Sequence, residues 1–363
     1  MMLQHRHRRN RSVRPVLLSL EARALLNAAM PHHVHDVRVS AHVLDVKQHP
    51  VQQSQAHGPN VTFIDRISNN GYQFTNFDGP TPGTAAGTGT NMNGISNKGA
   101  AVGFTIDNNG NFSNFTANPL KSRTATILNI NGSTKAMALG SNSAGTVVGT
   151  DGNGNAFFFN HGKVKTFIPT GGSSAIAFGI NDHGTVVGQY VTSTATPGFI
   201  RVKPNSYITI NAPSGPNTVN AQGINNQGLV VGFYVGTDTQ VHGFIASEKA
   251  ATNGTLTGTA IVDPSIPVVP GEPGASFVFS QILGINDHGI AVGYYGDSTT
   301  SQHGFLYNTK TGVYTFLDDP NEAFAKGVEV TQITGITNSG EITGFYSDAN
   351  GVFHGFVATP HRA

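Results

Sequence analysis

The chain contains no cysteine, which excludes disulfide frameworks, thiolate metal sites and cysteine nucleophiles together. Charged residues are scarce, at 11% of 363. A Gly-x-Ser-x-Gly elbow, a phosphate loop and a zincin helix are all missing, so neither a catalytic motif nor a cofactor motif is there to assign. Long apolar runs are missing too. The most apolar stretch near the start, residues 16–29, is broken by Glu21 and Arg23 and is too short and too charged to span a membrane. What the chain has instead is 45 glycines among many Asn, Thr, Val, Ile and Phe. Glycine is costly inside helices and at home in tight turns. This composition therefore predicts an all-β protein of short strands joined by polar turns.

The net charge of +1 hides an asymmetry. Residues 1–57 hold eight Lys/Arg against three Asp/Glu, and the remainder holds 13 against 17. The basic cluster is Arg6, Arg8, Arg9, Arg11 and Arg14. A nucleic-acid arm would need support from a basic face elsewhere, and the mildly acidic remainder offers none, so no nucleic-acid partner is expected. The arginines precede a short apolar segment that ends in small residues, which suits an export leader. The run Leu20-Glu21-Ala22-Arg23-Ala24-Leu25-Leu26-Asn27-Ala28 resembles the Leu-Glu-x-Arg-x-Leu-Leu-x-Ala leader at the start of many bacterial surface and secreted proteins. That resemblance implies export. The expected organisation is a leader over 1–30, a linker over 31–60, a repeat domain over 61–358 and a tail over 359–363. His32, His33 and His35 lie in the linker and are read as incidental rather than as metal ligands.

Self-similarity organises the rest of the chain. Gly179-Ile180-Asn181-Asp182-His183-Gly184-Thr185-Val186-Val187-Gly188 returns from Gly223 to Gly232 and again from Gly284 to Gly293, with weaker copies at Gly94, Gly140 and Gly335. The five intervals cover 241 residues, an average of about 48, close to the length of a propeller blade. Each unit has an apolar strand ending in Gly-Ile and a turn of Asn, Asp and Gly, residues that accept left-handed backbone angles. A second strand, a third carrying Gly-Phe-hydrophobic and a fourth follow. Four antiparallel strands per unit describe a β-propeller blade. The sixth unit stops after three strands. Its fourth is expected at the other end of the domain, where Tyr72–Pro80 resembles Tyr314–Pro320. Six blades are predicted, with seven as the alternative should residues 61–65 start another. The motifs resemble the HAF repeat family, extracellular bacterial repeats marked by Gly-Ile-Asn-x-x-Gly-x-Val-Val-Gly and His-Gly-Phe, over residues 61–358. The resemblance implies secretion or surface display. The first two copies depart from it, with Ser113-Asn114-Phe115 and Asn155-Ala156-Phe157 in place of His-Gly-Phe.

Candidate chemistry centres on the channel, which the first strand of each unit should line. Windows of six or seven residues ending at or just after each Gly-Ile hold no Asp or Glu, and Lys135 is their one charged residue. Three residues before the leading glycine stand Asn91, Asn220, Gln281 and Gln332, with Met137 and Ile176 in the other two copies. Amides donate and accept, which suits a neutral polyol or glycan. His242, His303 and His354 share one position on the third strand. They lie on different blades and cannot converge on one ion, so no metal site is assigned. The Asp107 and Asp151 turns lack the bidentate Glu of a calcium loop and read as hairpin turns. The expected function is a monomeric secreted or cell-surface propeller with a non-catalytic binding or structural role, its partner a glycan or an envelope protein. The alternative is a carbohydrate-active hydrolase or lyase built from loops, with Glu272 or Glu329 as carboxylate. Residues 247–276, rich in proline, read as a tolerated insertion.

Overall fold

A computed structural model describes residues 62–122, 124–263, 275–322 and 329–361, with backbone alone for 62–68. The leader, the linker, Glu272, the prolines at 264, 267, 270 and 273, and the last two residues of the tail lie outside the described residues. No helix among the described residues is long and apolar enough to cross a membrane.

The described residues form six four-stranded blades. Their innermost strands are Gly89–Ile95, Met137–Ser141, Ser174–Ile180, Val219–Ile224, Phe277–Ile285 and Thr331–Ile336. We number blades 1–6 in that order. These strands touch one another in sequence, and the sixth touches the first. Closure is clearest at the leading glycines. A Cβ on Gly94 would lie 3.3 Å from the Gly140 Cα, and the same holds around the ring to Gly335, whose Cβ would lie 3.2 Å from the Gly94 Cα. The fold is a six-bladed β-propeller.

The Gly-Ile-Asn motif explains how blades are joined. Asn181 Oδ1 accepts from the backbone N–H of His183 and of Thr185, which folds its own turn. Its Nδ2 donates to the Asn225 carbonyl of the next blade at 3.1 Å. Asn142, Asn225 and Asn286 reach the following blade in the same way. One residue further on, the N–H of Ser143, Asp182, Asn226 and Asp287 each donates to a side-chain oxygen on the next blade. Asn338 N–H donates to Asn97 Oδ1 at 2.8 Å and joins blade 6 to blade 1.

The missing fourth strand of blade 6 is where the sequence places it. Tyr72–Asp78 pairs antiparallel with Phe353–Pro360. The segment that could have begun a seventh blade is instead a fifth strand on blade 6, Thr62–Asn69 paired with Tyr72–Asp78. The described part of the 247–276 segment is a strap. After a 3₁₀ turn at Glu248–Ala250, Thr255–Thr257 pairs in parallel with Ser206–Asn211 of blade 3. Thr259–Ala260 then returns as the short outer strand of blade 4.

Candidate functional site

The four amides expected in the channel all lie on innermost strands and all are buried: Asn91 is 6% exposed, Asn220 1%, Gln281 0% and Gln332 8%. They occupy one contiguous arc of blades 4, 5, 6 and 1. On blades 2 and 3 the same position holds Met137 and Ile176, which meet Leu139 and Phe178 in an apolar cluster with Phe104 of blade 1. Around the six blades this position is thus an amide on four and apolar on two. At a strand rise of about 3.3 Å per residue, the amides sit about 10 Å from the glycine ring.

Burial this deep normally comes with full hydrogen bonding, and here it does not. Gln281 Oε1 accepts from the Tyr294 hydroxyl at 2.9 Å, and Gln332 Nε2 donates to Gln302 Oε1 at 2.6 Å. The Nδ2 atoms of Asn91 and Asn220, Gln281 Nε2, Gln332 Oε1 and the neighbouring Asn93 Oδ1 have no protein partner. The arc therefore offers three donors and two acceptors, all uncharged. Lys135, expected among the channel residues, precedes its strand and is exposed, because the blade 2 inner strand starts two residues later.

The turn end of the channel carries chemistry that the sequence windows missed. Asp182 and Asp287 stand with Asn97, Asn226 and Asn338 around a cavity of about 60 Å³. Asn226 Nδ2 donates to both carboxylates, at 3.4 and 2.9 Å, and Asn338 Nδ2 to Asp287 at 2.7 Å. Burial would raise the Asp182 pKa. Donation from Ser143 N–H and from the Asn97 and Asn226 amides outweighs it and holds the carboxyl below its ordinary range. These carboxylates are engaged in joining blades. The Asp107 and Asp151 turns are likewise self-contained, each carboxylate accepting two backbone N–H groups of its own turn.

The three motif histidines stay apart, each with its own aspartates. His242 Nδ1 meets Asp263 at 2.7 Å and its Nε2 meets Asp238 at 3.0 Å. His303 Nδ1 meets Asp318 at 3.0 Å, and Asp297 stands 3.8 Å from Nε2. His354 Nδ1 meets Asp78 at 2.9 Å, with Asp348 3.6 Å from Nε2. Each histidine thus ties a second-to-third-strand turn to the outer edge of its blade. Blade 5 adds further carboxylates: His303, Asp318 and Glu322 each place a ligand atom within 4.8 Å of the others.

These pairs set a pH dependence. Burial would lower the His354 pKa, but the hydrogen bond and charge of Asp78, then the charge of Asp348, outweigh it and hold the pKa above the ordinary 6.5. At His242 burial is likewise outweighed, by Asp238 and Asp263. A raised histidine stabilises fully below its unfolded value and loses that contribution as pH climbs through its folded value. Asp348 is lowered: burial opposes this, and donation from the Val352 and Asn350 N–H groups and the charge of His354 prevail. Its contribution is lost as pH falls through the carboxylate range. Stability should therefore peak between about pH 4 and 6.5 and decline as pH rises above that window in thermal melts, and His354→Gln should flatten the alkaline decline.

No family model matches the chain, and no curated protein matches it. Among solved structures, a streptogramin B lyase aligns at 13% identity over 61% of this chain and 68% of its own, with a TM-score of 0.38. A lectin of Aleuria aurantia in complex with Fucα1-6GlcNAc aligns at 10% identity over 73% and 91%, with a TM-score of 0.43. The virginiamycin B lyase of Staphylococcus aureus aligns at 12% identity over 74% and 94%, with a TM-score of 0.41. The blade count of the present chain rests on its own strand order and glycine ring.

Proposed function

We propose that this chain is a non-catalytic binding propeller whose amide arc takes an uncharged polyhydroxylated ligand, such as the end of a glycan, and that it works outside the cell. The observation that carries the reading is the set of buried amide atoms without protein partners on Asn91, Asn220, Gln281 and Gln332. Three donors and two acceptors suit hydroxyl groups, which both donate and accept. The absence of charge disfavours an ionic ligand, and Met137 and Ile176 at the same repeat position are of the kind that meets the C–H face of a sugar ring. The leader resemblance and the HAF-like repeats support export, and the mildly acidic propeller gives no support to a nucleic-acid partner. The inner strands hold no carboxylate that could act as general acid or base.

The test is a glycan-array screen of the full chain, with hydrolysis and elimination assays on every sugar retained. Saturable binding without turnover is expected. Asn220→Ala and Gln281→Ala should each weaken binding by about 5- to 10-fold, since a neutral hydrogen bond is worth about 1 kcal/mol. Binding indifferent to both substitutions removes the channel from the reading. Turnover would establish the enzymatic alternative.

A further inference from the structure

The cluster at the boundary of blades 5 and 6 has no counterpart at the other histidines whose surroundings are described. We propose that His303, Asp318 and Glu322 form a site for a divalent first-row transition ion of the Mn²⁺ or Zn²⁺ class, on the face opposite the Asn-Asp turn ring.

Geometry comes first. One ligand atom from each of the three residues lies within 4.8 Å of the others. With metal–ligand bonds of about 2.1 Å, ligand atoms around a tetrahedral ion stand about 3.4 Å apart, so closing on an ion needs at most about 1.4 Å of approach between any two of them. His303 is 1% exposed, and its Nδ1 and Asp318 Oδ2 already stand 3.0 Å apart. The other Asp318 oxygen is held by the Gly304 N–H at 2.8 Å. Glu322 Oε2 accepts from the Thr331 hydroxyl at 2.6 Å, and the Thr331 hydroxyl accepts in turn from the Asp319 N–H at 3.0 Å. Both carboxylates are therefore oriented before any ion arrives, as good ligands are.

Blade 6 supplies the comparison. It repeats the histidine and the aspartate, His354 with Asp78, but Gly79 and Pro80 follow Asp78, where Asp319-Pro320-Asn321-Glu322 follows Asp318. A histidine–aspartate brace thus needs no further carboxylate, and blade 5 carries Asp319, Glu322 and Glu329 around the same pair.

One further observation lies next to the cluster. Asn76 is fully buried, and its Nδ2 donates to Asp319 Oδ1 at 3.0 Å, yet its own Oδ1 has no hydrogen-bond partner. That is a buried neutral oxygen on the side chain that holds Asp319, the residue next to Asp318 in the chain. One imidazole with two carboxylates selects first-row transition ions over calcium and magnesium, which take all-oxygen sets.

The test uses the full chain stripped with chelator and titrated with Mn²⁺, followed by electron paramagnetic resonance of the free ion, with Zn²⁺ by calorimetry. One saturable site is expected in the unsubstituted protein. Glu322→Gln should weaken it at least tenfold, while His354→Gln leaves it unchanged. Glutamine keeps the length of the side chain and an acceptor for the Thr331 hydroxyl, so the variant should melt with the parent, and Asp318→Asn is the second variant should it not. Any Zn²⁺ taken up by histidines of residues 1–60 is indifferent to Glu322, so the comparison with Glu322→Gln isolates the site. Equal stoichiometry and affinity in parent and Glu322→Gln would overturn the site.

Discussion

Gly188→Ala should lower the stability of the propeller by at least about 3 kcal/mol, at the upper end of what overpacking a core costs. In a domain of about 300 residues that is a fall of about 5 °C in Tm. A Cβ at Gly188 would stand 2.0 Å from the Ile176 carbonyl oxygen and 2.7 Å from the Phe199 ring. The reason lies in the neighbouring strand. Between Ala177 and Gly179 the register slips by one residue, a bulge that turns the carbonyl of the preceding residue towards the second strand. The same slip recurs in all six blades. At each, the second-strand glycine would place its Cβ within 1.8–2.2 Å of the facing carbonyl. Phe199 cannot retreat, because it is fully buried against blade 2 residues such as Val148 and Ala156. Gly184→Ala is the matched comparison. Gly184 has φ +82° but open space around its Cβ position, so its substitution should cost only about 1 kcal/mol of backbone strain. Equal melting temperatures for the two variants would show that the bulge, not the turn, had been misjudged.

That glycine pair illustrates what sequence alone could and could not reveal. The period, the turn residues and the Gly-Phe strand were legible because they express local rules: which residues accept positive φ, and which alternate between faces. The reason for the second glycine was not legible, since it depends on a carbonyl displaced by a bulge in another strand. The Asn of Gly-Ile-Asn could be read as a turn former. Its bond to the next blade, 44 residues away from Asn181 to Asn225, could not, because that partner exists only once blades stack. Asp182 and Asp287 escaped the channel windows for the same reason: they sit in turns, and only ring closure brings them to one cavity. The amide arc was found because its four members share one repeat position. The third carboxylate at His303 was missed because Glu322 lies outside any repeat and breaks the pattern of blade 6.

Removing residues 1–79 should abolish cooperative unfolding altogether, and a peptide of residues 62–80 supplied in trans should restore it. Tyr72–Asp78 is the fourth strand of blade 6, and its contacts extend beyond that blade. Phe74 and Phe77 are both fully buried. Phe74 packs on Phe356 with ring centroids 5.2 Å apart. Phe77 belongs to the cluster of Met92 and Phe115 in blade 1. Asp78 Oδ1 accepts from His354 Nδ1 at 2.9 Å within blade 6, and the Thr90 hydroxyl of blade 1 donates to the same oxygen at 3.2 Å. Asn69 and Asn70 donate to the Asp318 and Phe316 carbonyls of blade 5. One short segment therefore bonds three consecutive blades. Phe77→Ala alone should cost about 3–5 kcal/mol, as truncating a buried phenylalanine does. Its effect should exceed that of any single substitution in the exposed outer strand Lys163–Phe167 of blade 2. A chain beginning at residue 80 that melts as sharply as the full protein would mean that the ring closes through its inner strands alone. The glycine and asparagine contacts around the axis would then suffice, and the amino-terminal strand would serve only to cover an open sheet edge.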